Sequence, residues 1–185
     1  MPKFILKIGA ADEALINNDD ICCYLVDENS NPKILKAAEA SDKLVLSVGE
    51  NAAAACLEQG LDGALIIREV DDKYAKFIKP LQKQLGKKFL GLSAEATRHA
   101  AMIASEAEPD FVAFRIPPQA QKEAAEVLRW YGELFLVQSA LFYSPQMEDE
   151  LLKLTDFIIL NAAEYKILVC LLYTSPSPRD GATSR

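Results

Sequence analysis

Apolar runs of strand length recur along the chain and alternate with stretches of helical composition. The runs are nearly continuous in apolar character, as expected for parallel strands that are buried on both faces. They cover residues 4–8, 21–26, 43–48, 63–67, 88–92, 111–116, 134–137 and 157–160. The stretches between them are rich in Ala, Leu, Lys, Glu and Gln and predict helices at residues 32–40, 51–59, 72–85, 96–106, 121–131 and 147–154.

The spacing of these runs predicts the architecture. From the fourth run onward, successive strands start roughly 23 residues apart, which is near the minimum for a strand, a helix and two short loops. Repeated βα units form either an open doubly wound sheet or a closed barrel. Eight tightly spaced units favour a single-domain (β/α)8 barrel of the TIM type. The first unit is short, because residues 10–20 leave little room for a covering helix.

Three of the predicted helix-to-strand junctions share one feature. Asp62, Asp110 and Asp156 each stand immediately before a predicted strand. In a (β/α)8 barrel these positions lie at the amino ends of the strands, which serve stability, whereas catalytic groups lie at the carboxyl ends. We therefore interpret the three acids as caps of their loops.

The composition is that of one globular domain. The 185 residues are 50% hydrophobic and 25% charged, with a formal net charge of −7. This acidic balance argues against nucleic acid or anionic membrane as a partner, because both bind clustered Lys and Arg. No apolar stretch approaches the roughly 18 residues of a membrane span, and the N-terminal run is too short for a signal peptide. We expect a cytoplasmic protein.

The cysteines and the single histidine, His99, form no zinc-binding pattern. Cys22, Cys23, Cys56 and Cys170 include no Cys-x-x-Cys pair. We interpret them as buried apolar side chains in a reducing compartment. Because Cys22 and Cys23 are neighbours on a predicted strand, we expect them to point to opposite faces.

The chain changes character near its C-terminus. From residue 170 onward the sequence reads CLLYTSPSPRDGATSR, and the LLYTSPSPRD portion resembles translated sequencing-adapter read-through. We therefore assign residues 1–169 to the barrel and interpret residues 170–185 as a non-native or disordered tail. On that interpretation the last helix is truncated.

Several segments are similar to those of one known barrel family. Residues 54–66 (AACLEQGLDGALI) carry a helix, a Gly-Leu-Asp-Gly turn and a strand, and residues 88–93 (KFLGLS) end a strand in Gly-Leu-Ser. A further helix and strand follow in RHAAM and EPDFV, at residues 98–102 and 108–112. Over roughly residues 43–166 the chain resembles a divergent member of the thiamine phosphate synthase/TenI family.

The resemblance implies a role in thiamine biosynthesis, as a transferase that couples pyrimidine pyrophosphate with thiazole phosphate, or in related thiazole handling. It implies Mg2+ as the cofactor and a small phosphorylated heterocycle as the ligand, and it leaves homo-oligomeric assembly open. The implied catalytic residues are Ser93 and Arg115; the implied phosphate-binding residues are Arg68, Gln138, Ser139 and Asn161; and the implied metal ligands are Glu50, Asn51 and Asp71.

The predicted mouth departs from the family pattern at several strand ends. The second strand ends in Asp27 and Glu28, with no Arg or Lys, and Gln138-Ser139 replaces a Gly-Gly pair that would let the backbone approach a phosphate. Arg68 and Arg115 end predicted strands and are suited to grip an anion by two hydrogen bonds. The alternative is that they pair with rim acids such as Glu69 or Asp27.

Three functions remain open at this point. The chain is a divergent enzyme of that family, a non-catalytic barrel that binds a phosphorylated or heterocyclic ligand or a partner, or another phosphate-binding barrel such as an isomerase or epimerase. The third function requires a pair of opposed acids or a Lys at a strand end. No predicted strand ends in Lys.

Overall fold

Eight parallel strands close into a barrel in the order in which they occur along the chain. A computed structural model describes residues 3–8, 18–30 and 32–174. The strands are β1 (Lys3–Lys7), β2 (Ile21–Val26), β3 (Leu44–Gly49), β4 (Gly63–Ile66), β5 (Phe89–Glu95), β6 (Phe111–Arg115), β7 (Gln138–Phe142) and β8 (Phe157–Asn161). The predicted (β/α)8 barrel is therefore confirmed.

Helices follow the strands from β2 onward and cover the outside of the barrel. They are α1 (Pro32–Ala40), α2 (Ala52–Gln59), α3 (Tyr74–Leu85), α4 (Arg98–Glu106), α5 (Gln121–Leu134), α6 (Asp149–Leu152) and α7 (Ala162–Thr174), and a 3-10 turn at Pro118–Ala120 precedes α5. Most of the predicted first unit, residues 9–17, lies outside the described residues. The part of the predicted tail from residue 175 onward also lies outside them, but α7 itself includes residues 170–174.

The predicted seventh strand was placed too early in the chain. Of the apolar run at residues 134–137, Leu134 ends α5 and Leu136 is fully exposed. Phe135 leaves the run to stack on Tyr131, with ring centroids 4.8 Å apart. The strand instead begins at Gln138, so that Gln138 and Ser139 lie at its amino end.

The core consists of two apolar layers on the two faces of the sheet. The inner layer fills the barrel; its buried members are Ile5, Cys23, Leu25, Leu46, Leu65, Phe111, Ala113, Ala140 and Ile159. The outer layer joins the other faces of the strands to the helices, for example through Phe114 and Tyr131, whose rings meet edge to face at 5.1 Å. Because side chains alternate along a strand, this division fixes which residues at each strand end face the barrel axis.

Two glycines make room for the inner layer. A Cβ atom on Gly91 would overlap the ring of Phe111, and one on Gly63 would overlap the backbone carbonyl of Phe89. A side chain at either position would therefore displace a neighbouring strand or an interior ring.

The three acids that precede strands act as clamps at the amino ends, which we call the bottom rim. The carboxylate of Asp62 accepts a hydrogen bond from the N–H of Val45, at 2.9 Å. Asp110 and Asp156 do the same for the second residues of β5 and β7, Leu90 and Ser139. The predicted structural role at the bottom rim is thus confirmed, but the carboxylates bond a preceding strand instead of capping their own loops. Each clamp joins the start of one strand to the start of the next along the chain.

The cysteines only partly follow the prediction. All four are free thiols; Cys23 and Cys56 are buried, but Cys170 is exposed on α7. Cys22 and Cys23 both pack against the inner layer, because the register of β2 against β1 shifts between Phe4 and Ile5. The expectation that they point to opposite faces is therefore wrong. Burial raises the pKa of the Cys22 thiol, as it does for Cys23 and Cys56.

No helix in the part of the chain that the structure describes is long and apolar enough to span a membrane.

Candidate functional site

The carboxyl ends of the strands form the mouth of the barrel, where a (β/α)8 protein places its reacting groups. Its floor is the top of the inner layer, to which Val48, Ile67 and Phe142 contribute partly buried apolar side chains. Polar side chains continue the inward-facing rows beyond this floor, among them Lys7, Asp27, Glu95, Arg115 and Asn161. The site is therefore an apolar floor with a charged rim.

Lys7 and Asp27 form an ion pair on one side of the mouth. Lys7 is the last residue of β1, and its Nζ lies 3.6 Å from Oδ2 of Asp27, just after β2. The other oxygen of Asp27, Oδ1, accepts the N–H of Asn29 at 2.9 Å and the hydroxyl of Ser30 at 3.4 Å. This turn fixes the carboxylate, which in turn holds the half-exposed ammonium group at the rim.

Glu95 and Arg115 occupy another side of the mouth. They end β5 and β6 and are partners in the register of these strands, so their side chains project side by side. Both line a groove of about 470 Å³, which is within the size range of small-molecule sites. In the described part of the chain, neither side chain forms an ion pair or a side-chain hydrogen bond. The half-buried guanidinium is thus available to an anion, and the exposed carboxylate beside it to a proton.

Arg68 was predicted to face the mouth but points the other way. Its guanidinium carbon lies 4.0 Å from the ring centroid of Phe77 on α3, and its Nη2 is 3.8 Å from Oδ2 of Asp71. Its Nε is buried without a hydrogen-bond partner. The side chain thus packs against α3. It pairs with an acid, as the alternative interpretation expected, but the acid is Asp71 and not Glu69 or Asp27.

Ser93, the other predicted catalytic residue, is fully buried in β5. Its Oγ accepts the backbone N–H of Arg68 at 3.0 Å and lies 3.4 Å from the carbonyl oxygen of the same residue. The hydroxyl therefore ties the loop after β4 to β5. This observed bond is structural, and the catalytic assignment of Ser93 stays a prediction without support from the geometry.

The predicted phosphate ligands are not brought together. Gln138 and Ser139 begin β7 and lie at the bottom rim, the opposite end of the barrel from Arg115. Asn161 ends β8 at the mouth, but its Oδ1 accepts the N–H of Glu164 at 2.8 Å, while the Glu164 carboxylate accepts the N–H of Asn161 at 3.0 Å. This reciprocal pair caps α7. Of the predicted catalytic and phosphate-binding residues, all of which the structure describes, Arg115 alone combines mouth position with a free side chain.

The predicted metal ligands lie in two loops, after β3 and after β4. Glu50 and Asn51 are exposed in the turn before α2, and Asp71, in the loop before α3, accepts the N–H of Lys73 at 3.0 Å. Among the described residues, no group of three or more His, Cys, Asp and Glu side chains is placed to hold a metal ion. The Mg2+ that the resemblance implied stays a prediction, and no step below is routed through it.

The structure adds Lys7 to the site, and it gives Glu95, which the sequence also places at the mouth, a defined position beside Arg115. The prediction that no strand ends in Lys is wrong, because β1 ends at Lys7 and not at Ile8. The alternation of side chains along β1 could have revealed Lys7, since Ile5 and Lys7 are two residues apart and share a face. Tyr74, at the start of α3, is buried nearby. Burial raises the pKa of its hydroxyl, and the charges of Arg68 and Arg115 offset only part of that rise.

No protein-family model matches the chain, and no curated protein matches it. Similar solved structures exist. A variant tryptophan synthase α-subunit from Pyrococcus furiosus is 14% identical with a TM-score of 0.62, and the match covers 90% of this chain and 89% of that one. Tryptophan synthase from M. tuberculosis in a ligand-free form is 11% identical, with a TM-score of 0.62 and coverage of 91% and 86%. The likeness is one of fold.

The identification with the thiamine phosphate synthase/TenI family, and with it the role in thiamine biosynthesis, is therefore wrong. The similar structures are tryptophan synthase α-subunits, and nothing in the comparisons points to that family. The structure also explains why the motif misled. In the Gly-Leu-Asp-Gly turn, Gly60 ends α2 in the left-handed region at φ 65°, Asp62 is a clamp, and Gly63 allows close packing. These are requirements of a barrel, not of one reaction.

Proposed function

We propose that the chain is a barrel enzyme that moves a proton on a small anionic substrate bound at the mouth. The observation that carries the proposal is the position of Lys7 and Glu95. They end β1 and β5, which are four strands apart in a closed ring of eight and so face each other across the mouth. A cationic donor and an anionic acceptor on opposite sides are what a proton transfer between two faces of a substrate requires.

Each charged residue then has one role. Arg115, beside Glu95, binds the anionic group and so positions the neighbouring carbon against the carboxylate. Asp27 holds the Lys7 ammonium in place through the 3.6 Å ion pair. The apolar floor below excludes water from the reacting carbon.

The proposed reaction is an isomerisation or epimerisation of a carbonyl-containing anion. Glu95 takes a proton from the carbon next to the carbonyl, and the electron pair of the broken C–H bond moves onto the carbonyl oxygen as an enolate. Lys7 then gives a proton to the enolate from the other side. The two side chains regain their original protonation by exchange with water, so that substrate and product have the same composition.

Two further points support an enzyme of this kind. An isomerase or epimerase of this fold requires a pair of opposed acids or a Lys at a strand end, and Lys7 is such a residue. The similar solved structures are named as subunits of a synthase, and so as parts of an enzyme.

The test is exchange of substrate protons with solvent. Dihydroxyacetone phosphate, pyruvate and oxaloacetate are incubated with the protein in D2O, and loss of the proton signal next to the carbonyl is followed by NMR. We expect exchange above background for at least one probe. Glu95→Gln and Lys7→Met should each slow it by about 100-fold or more, the usual contribution of an acid or base.

Two controls make the result specific. Lys3→Met changes a lysine of the same strand at the bottom rim, and Arg129→Ala removes a surface cation that pairs with Glu150. Both should leave exchange unchanged, whereas Arg115→Ala should raise KM. Equal rates for Lys7→Met and Lys3→Met, or no exchange with any probe, would contradict the proposal.

A further inference from the structure

The groove beside the mouth contains charges of both signs. Glu95 and Arg115 line it from the strand ends, and Glu123 lines it from the first turn of α5. Its remaining walls are mainly apolar and include Ile116 and Ala124. It therefore offers one cation and two acids around a small apolar space.

In the described part of the chain, none of these three charges forms an ion pair. Lys7, Arg68 and Arg129 each pair with an acid of the chain. Within the described residues, Arg115 is within ion-pair distance of no acid, and Glu123 is within ion-pair distance of no base. Arg115 is also partly removed from water, which strengthens its interaction with any anion that enters.

The charge pattern selects among ligands. A simple anion can bind Arg115, as the proposed function requires, but the two neighbouring carboxylates weaken its binding. A simple cation would satisfy the acids but would meet the guanidinium. A ligand with one group of each sign neutralises both, and the apolar walls favour a small apolar body between or beside these groups.

We propose that the groove binds a zwitterion of the amino-acid type, with its carboxylate on Arg115, its ammonium on Glu123 and a short aliphatic side chain against the walls. The inference rests on the proposed function, since it uses the same anion site and names the class of its substrate. In this pose the carbon that carries both groups lies next to Glu95, the residue proposed to take the proton.

The competing explanation for Glu123 is local. An acid in the first turn of a helix interacts favourably with the helix dipole and needs no ligand. A change in stability alone cannot separate the two explanations, so the readout must be the difference in affinity between ligands that do and do not carry an ammonium group.

The experiment is a calorimetric titration of the full chain with matched pairs of ligands. L-Alanine is compared with propionate, and L-valine with isovalerate, so that each pair differs only in the ammonium group. We expect the amino acid to bind about fivefold more tightly within each pair, the scale of one partly exposed ion pair. Glu123→Gln should remove this preference and leave the affinity for the carboxylate unchanged or higher.

Two variants provide the controls. Glu126→Gln changes an exposed acid one turn along the same helix, outside the groove lining, and should keep the full preference. Arg115→Ala should weaken both members of each pair by about tenfold or more, as loss of a charged hydrogen-bond donor does.

The outcomes separate the two proposals. Equal affinity for amino acid and carboxylate, or a preference that survives Glu123→Gln, would overturn the zwitterion inference and leave the anion site of the proposed function standing. Binding of neither member of any pair would also overturn the inference. The proposed function would then be judged by the solvent-exchange assay with the phosphate-bearing and oxo-acid probes.

Discussion

The backbone N–H of Leu90 donates a hydrogen bond to the carboxylate of Asp110 at 2.8 Å. Leu90 is buried, so water could not fully replace the acceptor if the N–H group of Leu90 lost this carboxylate. We expect Asp110→Ala to lower the free energy of unfolding by about 1 to 3 kcal/mol, and Asp110→Asn, which keeps an acceptor oxygen, to lower it less. Urea unfolding measures both. Asp72→Ala, at an exposed acid before α3, should change it by no more than about 0.5 kcal/mol.

Glycine-to-alanine changes should have opposite signs at two positions. At Gly91 the new methyl would overlap the Phe111 ring, so we expect a loss of about 1 to 3 kcal/mol from overpacking. At Gly132, inside α5, a Cβ meets nothing within 4 Å, and we expect a gain of up to about 1 kcal/mol. Thermal unfolding of the two variants is the measurement. Two changes of the same sign would show that the barrel interior is packed differently.

The hydroxyl of Tyr24 should affect stability at high pH. It is buried without a hydrogen-bond partner, and burial raises its pKa from 10.0 to about 12. Since the unfolded state loses this proton first, the folded state loses stability as the pH rises from 10 to about 12. Below pH 10 this contribution is fully present.

Tyr24→Phe removes both the titration and the unsatisfied hydroxyl. We expect the variant to be more stable than the wild type by about 1 kcal/mol at neutral pH and to lose less stability between pH 10 and 12. The urea midpoint of both proteins, measured across this range, provides the comparison. Parallel curves for the two proteins would mean that Tyr24 is not the group that titrates.

Ser93→Ala should separate a structural role from a catalytic one. Loss of the bond between Oγ and the Arg68 N–H leaves a backbone donor unsatisfied, and we expect a loss of about 1 to 3 kcal/mol of stability. If the role is structural, the proton-exchange rate at a temperature where the variant is folded should stay within about threefold of the wild type. A fall of about 100-fold would instead restore Ser93 as a catalytic residue.

The order and number of strands were predictable because each buried parallel strand needs a continuous apolar run. Strand seven was misplaced for a specific reason. Its first residues, Gln138 and Ser139, are polar, and the backbone N–H of Ser139 is satisfied by Asp156 at 2.9 Å, a partner 17 residues away. The more apolar residues just before it belong to the end of α5 and its loop. The amino-acid composition around Gln138 and Ser139 gives no sign of that distant contact.

The candidate site was less predictable than the fold. The position at which a strand ends decides which side chain is the last to face the barrel axis. If that position is misplaced by one residue, the side chain chosen points to the opposite face. This is why Lys7 was missed and why Arg68, two residues past the end of β4, was assigned to the mouth although it packs on Phe77. Arg115 was placed at the mouth because the end of β6 was predicted to within one residue.

The clamps fasten three sequential pairs of strands: Asp62 joins β3 with β4, Asp110 joins β5 with β6, and Asp156 joins β7 with β8. Each pair is a βαβ module fastened by its own side chain over a short stretch of chain. A circular permutant opened between modules, in the loop between α3 and β5, keeps every fastening local. One opened inside a module, between α4 and β6, turns the Asp110 fastening into a contact between the two chain ends. Forming that contact costs more loop-closure entropy, by about 2 kcal/mol. We therefore expect the barrel to tolerate new chain ends between clamped pairs of strands better than within a clamped pair.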